Sequence, residues 1–214
     1  MLSERPAEPL SQLRNVALSP FGPESGPESG AAPRTQSGAN IALNFGASRW
    51  RDRIDFHFHL SGRVASDLMS LVLPQVESPP ARRRRDELWK STCLEFFLGP
   101  AGQQSYLEIN LSPSGHWNCY VFDGYRQGMR ESADTVVYLN ESHLDPRGDQ
   151  ASWHGTLRTE GPKGEFASWL SSGSLVMGVS AVLEYNSGER EYWSLVHVAD
   201  RPDFHRREGF RLTL

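Results

Sequence analysis

The feature that most constrains the fold is a hydrophobic period of two that runs through most of the chain from Ile41 onward. In residues 53–60, apolar side chains at every second position alternate with Asp55, His57 and His59. Such alternation is typical of a β-strand with one buried face and one face in water. Similar β-like segments recur, many of them separated by turns rich in Gly, Pro and Asn: residues 39–45, 91–98, 105–111, 117–122, 135–139, 152–158, 175–185, 191–198 and 210–214. The pattern predicts an all-β fold, an antiparallel sandwich or barrel.

The first 38 residues differ in composition from the rest of the chain. Residues 19–40 repeat Gly, Pro, Ser and Glu and include a duplicated Gly-Pro-Glu-Ser motif. A segment of this kind buries too little apolar surface to offset the entropy that is lost on ordering. We therefore predict an N-terminal arm with a Gly/Pro/Ser-rich loop, partly mobile, over residues 1–38, and one β-sandwich domain over residues 39–214. Within the arm, residues 10–18 could form either a first strand or an ordered extension.

Charge and hydropathy argue against two classes of partner. The formal net charge is −4, whereas domains that bind nucleic acid are usually basic. No stretch of about 18 apolar residues occurs, so we expect no membrane-spanning helix. The N-terminus lacks a basic segment followed by an apolar one, which predicts a cytoplasmic protein without a signal peptide. Cys93 and Cys119 both lie in apolar segments, and we predict that they stay reduced in the core.

The segment 88–129 allows the register of a hairpin to be predicted. A four-residue loop after Leu111 would place polar and apolar side chains opposite each other on one face. A five-residue loop at residues 112–116 instead places apolar side chains opposite each other throughout, in the pairs Leu107 with Val121, Ile109 with Cys119, and Leu111 with Trp117. Because a slip of one residue moves every side chain to the other face, the consistent register is favoured.

The opposite face of this hairpin combines flat aromatic rings with hydrogen-bonding groups. In the favoured register it carries Tyr106, Glu108, Asn110, Asn118, Tyr120 and Phe122, with Glu95 of the preceding strand nearby. Sugars are bound by such mixtures, because their C–H faces stack on rings and their hydroxyls bond to carboxylates and amides. The alternative is a polar outer face whose aromatic cross-strand pairs stabilise the sheet.

Several motifs resemble the DOMON-like domain that is related to family 9 carbohydrate-binding modules. They are Trp89 followed by Ser-Thr-Cys-Leu-Glu-Phe-Phe at 91–97, Tyr-Leu-Glu-Ile-Asn-Leu-Ser-Pro-Ser-Gly at 106–115, Trp117, Phe-Asp-Gly-Tyr-Arg at 122–126, Tyr-Trp-Ser-Leu at 192–195 and Arg-Pro-Asp-Phe-His at 201–205. The resemblance runs from about residue 40 to the end of the chain. It implies a β-sandwich of jelly-roll or immunoglobulin-like topology. It also implies a bound ligand, which is a sugar in the carbohydrate modules and haem in other DOMON relatives.

The resemblance also implies a set of ligand-binding residues. In the sugar-binding modules, two tryptophans clamp a sugar ring while a carboxylate and an arginine bond to its hydroxyls. Trp89 and Glu95 match the first tryptophan and the carboxylate, Arg126 matches the arginine, and Trp193 is the candidate for the second tryptophan. With the polar hairpin face added, the predicted site consists of Trp89, Glu95, Glu108, Asn110, Tyr120, Arg126 and Trp193.

For both tryptophans the alternative is a ring packed in the core. That alternative is stronger for Trp193, because Leu195 lies on the same face of its strand.

Glu95 and Glu108 could also form the carboxylate pair of a glycosidase. That chemistry needs two acids about 5–5.5 Å apart for retention of configuration or about 6.5–9.5 Å apart for inversion. Neighbouring strands could supply the shorter separation. No other motif in the sequence indicates catalysis, so we predict a non-catalytic binding module.

Other ligands remain as alternatives. Haem would need axial ligands, and the candidates are Met69, Met129, Met177, His57, His116, His143, His154, His197 and His205. His57 and His59 share one strand face and could chelate a metal. A calcium site could be built from the loop acids Asp123, Asp145 and Asp149, although their spacing matches no dedicated motif.

The remaining alternative is a protein-interaction domain. It would use an exposed sheet edge or the basic loop at Arg82–Arg85, whose ordinary role is that of a solvated loop.

Overall fold

The computed structural model of the chain describes residues 8–22, 40–74, 83–161, 163–171 and 173–214. Its strands are β1 (Ser11–Pro20), β2 (Ile41–Arg49), β3 (Arg53–Gly62), β4 (Cys93–Pro100), β5 (Tyr106–Leu111), β6 (Trp117–Phe122), β7 (Arg130–Glu131), β8 (Thr135–Leu144), β9 (Gln150–Thr159), β10 (Leu175–Glu184), β11 (Arg190–Ser194) and β12 (Leu212–Thr213). Two short α-helices, α1 (Ala65–Met69) and α2 (Glu165–Ser171), and two 3₁₀ turns at Leu88–Lys90 and Arg207–Gly209 complete the described structure.

All pairings between the named strands are antiparallel, in the order β7-β6-β5-β4-β10-β11-β1-β2-β3-β9-β8, and β12 pairs with β10. We call β1-β2-β3-β9-β8 sheet 1 and the strands from β7 to β11, with β12, sheet 2. The two sheets are joined where the end of β1 pairs with β11, at Ser19 opposite Ser194 and Pro20 opposite Trp193. The continuous sheet therefore curls over on itself.

Aromatic side chains fill the space between the two sheets. Phe96 of β4 lies 6.0 Å from Phe45 of β2 and 5.0 Å from Phe56 of β3, measured between ring centroids. These rings belong to one large cluster of buried residues drawn from both sheets. The predicted all-β, antiparallel sandwich is confirmed.

The predicted hairpin register is also confirmed. β5 and β6 pair Leu107 with Val121, Ile109 with Cys119 and Leu111 with Trp117, as the alternation requires. Several strands run beyond their apolar segments, most clearly β8, which continues to Leu144 although its second half is exposed. Backbone pairing with β9 holds that half in the sheet, and hydropathy carries no signal of such pairing. Cys93 and Cys119 are buried and form no disulfide, as predicted.

Strand β1 lies within the segment that the sequence predicts to be an N-terminal arm. Of the two alternatives for residues 10–18, a strand is observed, and it pairs with β2 and β11. This part of the arm is therefore a strand of the sheet. Residues 23–39 of the Gly/Pro/Ser-rich segment predicted at 19–40, and Arg82 of the basic loop, lie outside the described residues. In the described part of the chain, no helix has the length and apolar character needed to cross a membrane.

Arg49, at the end of β2, ties the C-terminus to helix α2. Its guanidinium is buried and donates hydrogen bonds to the backbone oxygens of Leu170 at 2.8 Å, Gly173 at 2.8 Å and Leu214 at 2.9 Å. The last residues of the chain are thereby held against sheet 2, where Leu214 also exchanges two backbone hydrogen bonds with Leu175.

Candidate ligand-binding site

The outer face of sheet 2 is covered rather than exposed. Alternation directs Phe97 of β4 and Tyr106 of β5 away from the main core, and there they join a second aromatic cluster. The chain after β11 folds back over this face, so that the ring of His205 lies 5.3 Å from Phe97 and that of Phe210 lies 5.6 Å from Tyr106. Because of this cover, the side chains on both faces of β4 and β5 are buried.

A cavity of about 470 Å³ lies between this face and the covering segment. Its walls combine aromatic rings, acids and cations: Trp89, Lys90, Glu95, Phe97, Glu108, Phe122, Arg126, Met129, Val182, Arg190, Tyr192, Pro202, Phe204 and His205. The size falls within the range of about 300–1,000 Å³ that is usual for small-molecule sites.

Glu95 lies in the wall of this cavity with only 3% of its surface exposed. The hydroxyl of Ser180 on the neighbouring strand β10 donates a hydrogen bond to its Oε2 at 2.9 Å. Burial, and then the proximity of Glu108, raise the pKa of Glu95 to about 8. At neutral pH this carboxyl therefore carries a proton in most molecules.

Glu108 is the second buried acid of the cavity. Asn110 donates a hydrogen bond from Nδ2 to its Oε1 at 2.8 Å, and the Nε2 atom of His205 lies 3.7 Å from its Oε2. Burial raises the pKa of Glu108 to about 7, against the opposing effect of the Asn110 hydrogen bond. The two acids thus both titrate near neutral pH, on adjacent strands of one cavity wall.

His205 closes the cavity beside Glu108. Its Nδ1 atom is 2.8 Å from the hydroxyl of Tyr106. Burial and then the positive charge of Arg126 lower the pKa of His205 to about 4. The imidazole is therefore neutral at pH 7 and adds no positive charge next to Glu108.

Arg126 stands at the rim in a left-handed conformation, with φ at 53°. Its backbone N–H donates to the Tyr106 hydroxyl at 3.3 Å, and its Nη2 donates to Asp203 Oδ1 at 3.2 Å. Burial would raise the pKa of Asp203, but the hydrogen bonds from Tyr125 and Arg126 outweigh it and leave that pKa below the ordinary value. Asp203 is therefore ionised and fixes the arginine on the covering segment.

Trp89 comes from the 3₁₀ turn that precedes β4. Its ring packs edge-on against Tyr120, with the centroids 5.8 Å apart and the planes at 70°. Tyr120 is in turn fixed by hydrogen bonds with Asp86 and, at 2.9 Å, with Asn118. Trp89 is half-buried and lines the cavity, so it can offer its ring to a ligand.

The structure brings together most, but not all, of the residues expected at the site. Trp89, Glu95, Glu108 and Arg126 line the cavity. The other three predicted residues lie elsewhere: Asn110 behind Glu108, Tyr120 behind Trp89, and Trp193 in the main core between the sheets.

Trp193 does not reach the cavity because of strand alternation. It pairs with Ala181 of β10, whose side chain faces the core, and it is fully buried there. The next residue towards the N-terminus, Tyr192, faces the other way and lines the cavity. Its ring lies 6.4 Å from that of Phe204. Because Trp193 and Leu195 share the core face of their strand, alternation alone places Tyr192 on the opposite face. Phe204 and His205 lie outside the strands, so no periodic pattern indicates them.

Haem does not fit this cavity through the residues present. Met129 and His205 both line it, and Met with His is a known axial pair. However, both ring nitrogens of His205 face protein oxygens, Nδ1 towards Tyr106 and Nε2 towards Glu108. With both nitrogens so placed, His205 does not offer a free nitrogen to a haem iron.

Several of the remaining candidate metal ligands interact with other residues of the protein. Asp123 accepts a hydrogen bond from Arg130 at 2.7 Å, and Asp145 accepts one from the backbone N–H of Arg147 in its own turn at 2.7 Å. His57 stacks with His154 of the adjacent strand, at 5.5 Å between ring centroids. Within the described ranges, no three His, Cys, Asp or Glu side chains are grouped closely enough to hold a metal ion.

Comparison with known proteins shows the fold. No family model matches the chain, and no curated protein matches it. A crystal structure from Bacteroides uniformis ATCC 8492, named a "putative carbohydrate-binding protein", is similar to this chain with a TM-score of 0.52 and 11% sequence identity. The similarity covers 90% of this chain and 83% of that chain. It supports the all-β sandwich observed here.

Proposed function

We propose that this protein is a non-catalytic module that binds carbohydrate in the cavity on the outer face of sheet 2. The observation that carries the proposal is the pair of buried carboxyls, Glu95 and Glu108, set among aromatic rings in one cavity of about 470 Å³. The name of the Bacteroides structure and the motifs that resemble the DOMON-like domain support the same ligand class.

The chemistry of the walls suits a sugar ring. Sugar C–H faces pack on aromatic rings such as Trp89 and Tyr192, while sugar hydroxyls both donate and accept hydrogen bonds. A protonated Glu95 can also do both, and the rim cation Arg126 can donate to further hydroxyls. A ligand of one or two sugar units would satisfy these polar groups and remove the aromatic faces from water.

The protonation of the acids favours binding over hydrolysis. Glycosidases use one carboxyl as an acid and keep its partner ionised as nucleophile or base. Here both pKa values are raised, to about 8 for Glu95 and about 7 for Glu108, so at pH 7 the more acidic carboxyl of the pair is ionised in only about half of the molecules. We therefore expect no turnover of aryl glycosides at pH 7 under conditions in which sugars bind.

Calorimetric titration with glucose, galactose, cellobiose, glucosamine and N-acetylglucosamine tests the proposal. We expect saturable binding of at least one sugar and an affinity at least tenfold weaker in Trp89→Ala. Trp50→Ala is the matched control, because Trp50 follows β2 and does not line the cavity. Equal affinities in the two variants, or no binding across the panel, would contradict the proposal.

A further inference from the structure

The cavity contains two buried acids, and neither forms an ion pair with a Lys or Arg of the described residues. Glu95 is held by the hydroxyl of Ser180 and Glu108 by the amide of Asn110, both of which are neutral. The imidazole 3.7 Å from Glu108 belongs to His205, which is neutral at pH 7. Buried acids of this kind are costly to ionise unless a positive charge comes close to them.

The cations that line the same cavity are paired with other acids. Lys90 Nζ lies 2.6 Å from Glu87, and Arg126 Nη2 lies 3.2 Å from Asp203. Arg190 Nη2 lies 3.5 Å from Glu184. Among the described residues, no Lys or Arg forms an ion pair with Glu95 or Glu108. Burial raises the pKa of Glu108 and the charge of Arg126 acts against this, but the ion pair of Arg126 is with Asp203. A ligand can therefore bring the ion-pairing cation that the two acids lack.

The aromatic walls favour a cation as well. Trp89, Tyr192 and Phe204 line the cavity together with the two acids. The face of an aromatic ring attracts a cation, and the attraction grows when the site excludes water. A small ammonium group next to Glu95 would thus meet carboxyl oxygens and ring faces in one place.

We infer that the ligand carries a basic amine, and that the sugar bound here is an amino sugar with a free, unacetylated amino group. The inference rests on the proposed function, because it selects one class of sugar for the same cavity. The ammonium would lie between Glu95 and Glu108, and the rest of the ring would lie against the aromatic walls. An acetylated amine or a hydroxyl in the same position brings no charge.

Binding of an ammonium group has a consequence for protons. A primary amine is largely protonated at pH 7, whereas at that pH Glu95 largely holds its proton and Glu108 holds its proton in about half of the molecules. Formation of the ion pair favours the ionised carboxyl, so a proton leaves the protein for the solvent. A neutral sugar that only accepts and donates hydrogen bonds requires no such release.

The test compares glucosamine with glucose and N-acetylglucosamine by calorimetry at pH 7, in two buffers with different ionisation enthalpies. We expect glucosamine to bind at least tenfold more tightly than either neutral sugar, with release of about one proton per ligand. If the neutral sugars bind as tightly as glucosamine, the inference is overturned and the proposed function stands. If none of the three binds, both are overturned.

Two carboxyl variants make the test specific to the acids. Glu95→Gln and Glu108→Gln should each weaken the binding of glucosamine several-fold relative to that of glucose and reduce the proton release. Glu141→Gln, an exposed position on β8 of sheet 1, is the matched control and should bind glucosamine as the unchanged protein does. If one of the cavity variants fails to fold, the other still decides, and retention of the glucosamine preference in it would refute the inference.

Discussion

At the scale of single residues, Glu95 and Glu108 make stability depend on pH in an unusual direction. Their folded-state pKa values, about 8 and about 7, lie above the ordinary value of 4.5. Between these values the folded protein binds more protons than the unfolded chain, so stability is fully present below pH 4.5 and is lost as pH rises through 7 to 8. His205 acts in the opposite direction, with stability present above pH 6.5 and lost as pH falls through about 4.

In the window from pH 6.5 to 8 the two carboxyls dominate the pH dependence, because the effect of histidines with lowered pKa values, His57, His197 and His205, fades as pH rises above 6.5. We expect the free energy of unfolding to fall across it, by up to about 1.4 kcal/mol per pH unit for each full proton difference. Urea denaturation at a series of pH values measures this slope. The slope should be clearly smaller in Glu95→Gln, and an equal slope in the variant and the unchanged protein would show that Glu95 does not titrate in this range.

The two tryptophans of the predicted clamp should behave differently. Trp193 is fully buried in the main core, so Trp193→Ala should cost about 3–5 kcal/mol of unfolding free energy. Trp89 is half-buried over the cavity, and Trp89→Ala should cost about 1 kcal/mol or less. Denaturation of both variants in parallel measures the difference, and similar losses would place Trp89 in a structural role.

The residues of the candidate site were predictable to different degrees. Glu95 and Glu108 follow from alternation on two paired strands, since the core face of each strand is evident from its apolar residues. Trp89 and Arg126 are assigned to the binding site through the resemblance, and this assignment stays a prediction until binding is measured. Tyr192 could have been found from alternation alone, because its neighbour Trp193 shares a face with Leu195.

At the scale of elements, hydrophobic periodicity predicts the strands that have one apolar face. It does not predict the position of the irregular segment that covers sheet 2. The β5–β6 hairpin was predicted down to its register because a one-residue slip would bury polar side chains. The segment after β11 forms no long strand or helix, yet it supplies Phe204 and His205 to the cavity. Its position follows from tertiary contacts such as those of Phe210 with Tyr106, which leave no local pattern.

Close packing between β9 and β3 leads to a prediction for Gly155. A Cβ atom at this position would lie 2.4 Å from Cζ of Phe56 and 2.9 Å from the backbone oxygen of Tyr138. Gly155→Ala should therefore destabilise the protein by about 1–3 kcal/mol. Gly22→Ala, where no atom of the described residues lies within 4 Å of the added Cβ, is the control. Equal unfolding midpoints for the two variants would rule out this steric account.

The link from β2 to the C-terminus gives a second prediction at this scale. Arg49→Met would leave the backbone oxygens of Leu170, Gly173 and Leu214, the first and last of them buried, without their guanidinium donor. We expect a loss of about 2 kcal/mol or more in urea denaturation, since each unsatisfied buried carbonyl is costly. Arg51→Met, at an exposed position between β2 and β3, should stay within about 0.5 kcal/mol of the unchanged protein. A similar stability for both variants would contradict the anchoring role.

At the scale of the whole molecule, the two faces of sheet 2 pack against different parts of the chain. Its inner face packs against sheet 1 and forms the main core, in which rings such as Phe96 contact both sheets. Its outer face carries a smaller aromatic cluster under the C-terminal segment. The main core supports the sandwich, so the outer face is available to hold acids that a core would not tolerate.

The most direct test of a sugar site in this cavity follows the indole N–H signals of the six tryptophans by nitrogen–proton NMR while sugar is added. The signal of Trp89, identified by its loss in Trp89→Phe, should move saturably, and that of Trp50 should stay in place. Saturable binding that moves Trp50 and leaves Trp89 unchanged, or no binding of any neutral or amino sugar, would contradict the account.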